Sequence, residues 1–109
     1  KMPGWVTDGP QMFRTQTGKL GMLWSTWGKE RYLQAVCYSE SGKISGPWVQ
    51  EPEPFLANNS GHGMLFRTFE GELRYVVHHV EGNGPRKPQY WTVDDSGDKL
   101  VLGKQIIVP

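Results

Sequence analysis

The chain has a single cysteine, Cys37, so no disulfide can form within it and its compartment cannot be read from redox chemistry. It lacks any apolar run approaching the roughly 18–20 residues of a membrane-spanning helix. Neither sign of charge dominates. Twelve Lys and Arg against 11 Asp and Glu leave a formal net charge of +1, which gives no electrostatic case for nucleic acid or anionic lipid as a partner. No ten-residue stretch carries a clean 3.6-residue apolar stripe, which argues against long helices. With 109 residues, there is length for one small domain and not for two. The chain opens on Lys1 without an initiator Met or a signal peptide and stops inside the apolar run Gln105-Ile106-Ile107-Val108-Pro109. Both ends are those expected of a piece cut from a longer protein.

What the chain has in excess is glycine and proline, 14 and 8 residues, together with 5 Trp, 4 Tyr and 4 Phe. That composition suits many short strands joined by tight turns. The sequence also repeats itself. Phe13-Arg14-Thr15 followed by Gly18-Lys19-Leu20 matches Phe66-Arg67-Thr68 followed by Gly71-Glu72-Leu73 at an offset of 53 residues. At that offset Met12 meets Leu65, Met22 meets Tyr75, Leu23 meets Val76 and Tyr38 meets Trp91. Further on, Ser41-Gly42-Lys43-Ile44 resembles Ser96-Gly97-Asp98-Lys99-Leu100 across a small gap.

Each repeat reads as strands. Leu20, Met22 and Trp24 alternate with Gly21, Leu23 and Ser25, and Leu33, Ala35 and Cys37 alternate with Gln34, Val36 and Tyr38. Breaks fall at Thr17-Gly18, Ser41-Gly42, Glu70-Gly71 and Ser96-Gly97, where glycine supplies turn geometry. The pattern predicts strands at about 9–14, 19–26, 33–39 and 44–50, then at about 62–68, 72–79, 88–93 and 99–107. The expected fold is all-β. Four strands every 50 or so residues is the arithmetic of a β-propeller, with about 5–52 as one four-stranded antiparallel blade and about 53–109 as a second. Two blades cannot close a ring. The remaining blades come from a longer chain or from further copies, and the isolated chain is expected to be marginal or to associate. Interaction propellers of the WD type are disfavoured, since neither a Gly-His start nor a Trp-Asp end recurs in both repeats.

The motifs Trp5-Val6-Thr7-Asp8-Gly9-Pro10, Leu23-Trp24-Ser25-Thr26-Trp27, Tyr38-Ser39-Glu40-Ser41-Gly42, Gly46-Pro47-Trp48 and Ser60-Gly61-His62-Gly63-Met64-Leu65-Phe66 stand in this order along the chain. As a set they resemble the last two blades of glycoside hydrolase family 43, from about Trp5 to Leu102. The resemblance implies a five-bladed propeller that cleaves xylosides, arabinosides and related glycosides with inversion, as in xylosidases and arabinofuranosidases. It implies a carbohydrate substrate, a slight preference for a secreted or periplasmic setting, and no cofactor for the chemistry, with a possible structural Ca²⁺ in the channel.

In that family one Asp is the general base, a second Asp tunes the acid, and a Glu in a Glu-Gly-Pro context is the general acid. Asp8 of Asp8-Gly9-Pro10 falls on the acid's position and is one methylene shorter. The base and the tuning Asp belong to blades outside this chain, so the fragment alone is expected to be inactive. Asp-Gly-Pro is also ordinary turn chemistry, which leaves Asp8 as either acid or turn residue. His62, near Asp8 at the head of the second inner strand, is the candidate to help hold the channel cation. Its alternative is a histidine hydrogen-bonded in a packed channel. His78 and His79 point to opposite faces of their strand, and His78 is the better match to the family's substrate histidine. Trp27 is the candidate sugar platform. Trp91 is either platform or packing, and Trp24 is read as core. Arg86, in a loop read as solvated, is the candidate to reach a substrate hydroxyl. Asn58-Asn59-Ser60 formally fits a glycosylation acceptor, and Asp94, Asp95 and Asp98 read as surface charge. The rival functions are a non-catalytic carbohydrate-binding propeller, which suits Asp in place of Glu, and a self-assembling or protein-binding blade pair.

Overall fold

A computed structural model describes residues 8–28, 31–82 and 84–107. Trp5-Val6-Thr7 of the first motif, Asn83 of the loop before Arg86, and the chain end Val108-Pro109 lie outside them. Eight strands run in chain order: β1 (Asp8–Arg14), β2 (Leu20–Trp27), β3 (Tyr32–Ser39), β4 (Trp48–Gln50), β5 (Ser60–Arg67), β6 (Leu73–Val80), β7 (Arg86–Asp94) and β8 (Val101–Ile106). They form two antiparallel sheets, ordered β1-β2-β3-β4 and β5-β6-β7-β8. The fold is all-β, and each sheet has the meander expected of a propeller blade.

The strand boundaries agree with the sequence reading to within two residues except at β4, which begins at Trp48 rather than near Ile44. The reason is local hydrogen bonding. Ser39 Oγ donates to Lys43 O at 2.7 Å, Ser41 Oγ to Gly46 O at 2.6 Å, and the Trp48 indole to Ile44 O at 2.9 Å. Gly46 has φ +79. These bonds fold 40–47 into a turn and take it off the β3 ladder.

The repeat is structural as well as textual. Thr15 N donates to Lys19 O and Thr68 N to Glu72 O, while Thr15 and Thr68 Oγ1 accept from the amides of Lys19 and Glu72. Arg14 donates to Gly18 O at 3.0 Å and Arg67 to Gly71 O at 3.1 Å. Gly18 and Gly71 both take the left-handed backbone, at φ +93 and +88, which glycine adopts without steric cost. One detail of the alignment needs correction. Gly21 pairs with Tyr38 and Arg74 pairs with Thr92, so the counterpart of Tyr38 is Thr92 and not Trp91. The connection 81–85 is one residue longer than 28–31, and the offset therefore rises by one beyond it.

The sheets pack face to face. Leu23, Val36 and Tyr38 of the first sheet meet Tyr75 and Val77 of the second, with Phe13, Leu65, Trp91 and Val93 packed around them. Trp91 is therefore a packing residue, its indole N–H held by Gln89 Oε1 at 3.0 Å. Trp24, expected in the core, is half-buried on the opposite face of its sheet, where its indole donates to Gln50 at 2.9 Å. Asp95 is not surface charge. It is buried, accepts from the Gln16 side chain at 2.8 Å, and lies 3.5 Å from the Arg67 guanidinium. That cluster ties the two sheets together at the end where β1 and β5 finish. Asp94 and Asp98 are exposed as expected.

Candidate functional site

The meander topology decides which residues share an end. β1, β3, β5 and β7 begin where β2 and β6 finish, so Asp8, Trp27, Tyr32, His62, His78 and Arg86 all come to one end of the paired sheets.

Both inner strands open with the same irregularity. The β1–β2 register jumps between Asp8 and Gln11, and the β5–β6 register jumps between Gly61 and Met64. One extra residue enters the strand at each bulge, and here it stands with a residue of positive φ. In β1 it is Gly9 at φ +54, and in β5 it is His62 at φ +52. A side chain in that region costs roughly 1–2 kcal/mol, although histidine tolerates it better than most. Hydrogen bonds from the first sheet hold it in place. His62 N donates to Ser25 Oγ at 2.6 Å, and Gly63 N donates to Gln34 Oε1 at 2.8 Å.

Gln34 is the centre of this support. It is fully buried, accepts from the Tyr75 hydroxyl at 2.8 Å, and donates to Trp24 O at 2.7 Å and to Ser25 Oγ at 3.2 Å. Each of its amide atoms thus has partners, as a buried amide requires. Burial pushes the Tyr75 phenol well above the usual tyrosine range, so it stays a donor at all ordinary pH values.

The backbone so fixed aims the His62 ring across the seam between the sheets. It lies against Gly9, where an added β-carbon would stand 3.0 Å from Nδ1. The His62 and His78 rings are parallel, with centroids 5.8 Å apart and planes inclined by 9°. Asp8 Oδ2 is 4.0 Å from His62 Nδ1, beyond hydrogen-bond length, and Asp8 Oδ1 accepts from Gly9 N at 2.9 Å. The sequence candidates Asp8, His62 and His78 are therefore neighbours. All three are exposed. His79 is turned the other way and bonds Ser60 Oγ at 2.8 Å, which agrees with the opposite-face reading of the pair.

Trp27 and Arg86 are brought together by a residue the sequence did not single out. Trp27 stacks on Tyr32, centroids 4.9 Å apart and planes inclined by 22°, and the Arg86 guanidinium carbon lies 5.3 Å from the same ring centroid. Tyr32 itself is buried because it lies on Gly61, where any β-carbon would collide with its ring. Trp27 remains 40% exposed. The signal for Tyr32 was weak. An aromatic at a strand start shows nothing about what lies across the seam.

A channel Ca²⁺ would need six to eight oxygens. His62, with Asp8 and His78 beside it, would supply only part of such a set. Among the described residues no group of three His, Cys, Asp or Glu side chains converges to hold a metal. A concave surface of about 350 Å³ lies at the other end of the sheets, between Tyr38, Glu51 and Lys99, and the Lys99–Glu51 ion pair at 2.8 Å occupies part of it. Asn58 of the glycosylation motif has its amide nitrogen on Gln89 at 2.9 Å and its carbonyl oxygen buried.

The chain is similar to an endo-arabinase from Bacteroides thetaiotaomicron VPI-5482, whose crystal structure matches it with a TM-score of 0.71 at 38% sequence identity. The match covers 78% of this chain and 30% of that protein. No protein-family model matches the chain, and no curated protein matches it. Over the matched span the chain is homologous to a glycoside hydrolase and shares its ancestry.

Proposed function

We propose that this chain supplies two neighbouring blades of an inverting glycosidase propeller of the family 43 type, acting on arabinose- or xylose-bearing polysaccharides and oligosaccharides. The observation that carries the reading is the homology to an endo-arabinase at 38% identity. The clustering of Asp8, His62 and His78 at one end of both sheets supports it. Asp8 is the general acid and protonates the glycosidic oxygen. A carboxylate from a blade outside this chain activates water on the opposite face of the sugar, roughly 6.5–9.5 Å away as inversion requires. His62 braces the funnel wall, and His78 meets the substrate. Trp27 offers an aromatic face to a sugar ring, with Arg86 beside it. The chain alone, without a base, turns nothing over.

The test is hydrolysis by the complete propeller. Asp8→Asn should lower kcat on arabinan at least about 10²-fold, since a general acid contributes typically 10²–10⁴-fold. Aryl arabinosides with good leaving groups should suffer less, and Asp8→Glu should retain or raise activity. Equal activity of Asp8→Asn on both substrates would make Asp8 a turn residue only. The shorter acid and the exposed Trp27 favour one second reading, a carbohydrate-binding propeller without turnover. Sugar binding with no hydrolysis would establish it.

A further inference from the structure

Ser25 is tied to both inner strand heads at once. Within its own sheet its backbone is the register partner of Asp8. Across the seam its Oγ accepts from His62 N at 2.6 Å, and Gln34 Nε2 donates to the same oxygen at 3.2 Å. The residue is fully buried. The same rung of the second sheet pairs Gly61 with His78, so the repeat counterpart of Ser25 is an exposed imidazole. A buried hydroxyl at this place is therefore not part of the blade plan. It belongs to this seam and to what stands at its mouth.

The contact continues to the carboxylate. The bond to His62 N holds the left-handed backbone, φ +52, that lays the imidazole on Gly9, and Gly9 N in turn donates to Asp8 Oδ1 at 2.9 Å. Asp8 is one methylene shorter than a glutamate, so its carboxylate has little reach of its own and stands where the head of β1 puts it. We propose that Ser25 is the positioning residue for the proton donor, setting the place of Asp8 through His62 and Gly9. The inference rests on the reading of Asp8 as general acid. Removing the hydroxyl leaves His62 N without its acceptor and frees a backbone that is strained for a side chain. The ring then draws off Gly9, and the head of β1 loses the stop against it. Proton transfer needs the donor within about 2.6–3.2 Å of the leaving oxygen, and a misplacement of about 1 Å can cost roughly 10²-fold. Ser25 is buried away from any substrate, so its loss falls on kcat and not on KM.

The test is the ratio of kcat on arabinan to kcat on an aryl arabinoside with a good leaving group, measured with the complete propeller. Both rates come from one preparation, so the ratio does not depend on how much of it is folded. Ser25→Ala should lower the ratio about 10-fold with KM nearly unchanged. In an Asp8→Asn background the same substitution should leave the ratio where Asp8→Asn alone puts it, because the group it positions is gone. Ser25→Cys, close in volume and a weak acceptor, should follow Ser25→Ala and serves in its place if alanine does not fold. An unchanged ratio in the Ser25 variants, or an equal fall with and without the Asp8 carboxylate, would overturn the proposal. A shifted ratio in Asp8→Asn beside an unchanged one in Ser25→Ala is the failure of this inference alone. If Asp8→Asn itself leaves the ratio unchanged, or the propeller hydrolyses neither substrate, the acid reading fails and this inference with it.

Discussion

His62 rests on Gly9: the imidazole of one sheet lies against the backbone of the other, 3.0 Å from where a β-carbon would stand. Each residue is also the other's repeat counterpart, and both have the left-handed backbone. A side chain at one position requires its absence at the other. Gly9→Ala should therefore lose on two counts, a left-handed alanine and a clash with the ring. The expected cost is about 1–2 kcal/mol in denaturant unfolding, with a displaced His62 signal in the NMR spectrum.

At His62 the informative comparison is between two truncations. His62→Gly and His62→Ala lose the same ring contacts, and only glycine adopts φ +52 freely. The glycine variant should be the more stable of the two by about 1 kcal/mol. Equal stability would show that the backbone relaxes once the ring is removed.

Gln34→Leu should be among the more damaging single substitutions in the chain. It strands the Gly63 amide and the Tyr75 hydroxyl in the buried seam and removes the clamp on Ser25. A loss of roughly 3 kcal/mol is expected from leaving two buried donors unpaired, measured by urea unfolding. Tyr75→Phe, which removes one donor while Gln34 Oε1 keeps its bond from Gly63 N, should cost about 1 kcal/mol.

Tyr75 also predicts an alkaline limit. Burial raises its folded pKa above the ordinary tyrosine value of about 10, so the unfolded chain releases a proton that the folded chain keeps. Its contribution to stability is complete below that value and falls as pH rises through and beyond it. Thermal unfolding should shift to lower temperature as pH climbs above about 10, and Tyr75→Phe should flatten that decline. Phenolate absorbance from Tyr75 should appear only with unfolding.

The architecture was legible because its determinants are neighbours in sequence. Phe-Arg-Thr followed by Gly at a fixed distance encodes the β1–β2 and β5–β6 turns through bonds between residues three and four apart, and the same words twice give the same turn twice. The candidate residues came from the resemblance and from their places at strand ends, Asp8, His62 and His78 with Trp27 and Arg86, and the fold brings them to one end of the sheets. Ser25, Gln34, Tyr32 and Tyr75, which hold that end in shape, act across the seam on residues far away in the chain. A polar residue in an alternating strand looks the same whether it faces water or a buried amide, so Gln34 passed as an ordinary strand residue. Asp95 was misread for the same cause, its partners Gln16 and Arg67 lying in other elements.

A unit made of two sheets counts in pairs. Rings closed by copies of this chain alone hold four, six or eight blades, and no number of copies reaches five. Parity therefore separates two ways of completing the fold without any assay of sugar. A native mass that is a whole multiple of this chain belongs to an even ring, in which every channel position recurs with the symmetry of the assembly and Asp8 faces its own duplicates. A five-bladed ring is odd, has no such symmetry, and must draw at least one blade from a different sequence. Only in that asymmetric case can the water-activating carboxylate come from a blade that no copy of this chain contributes.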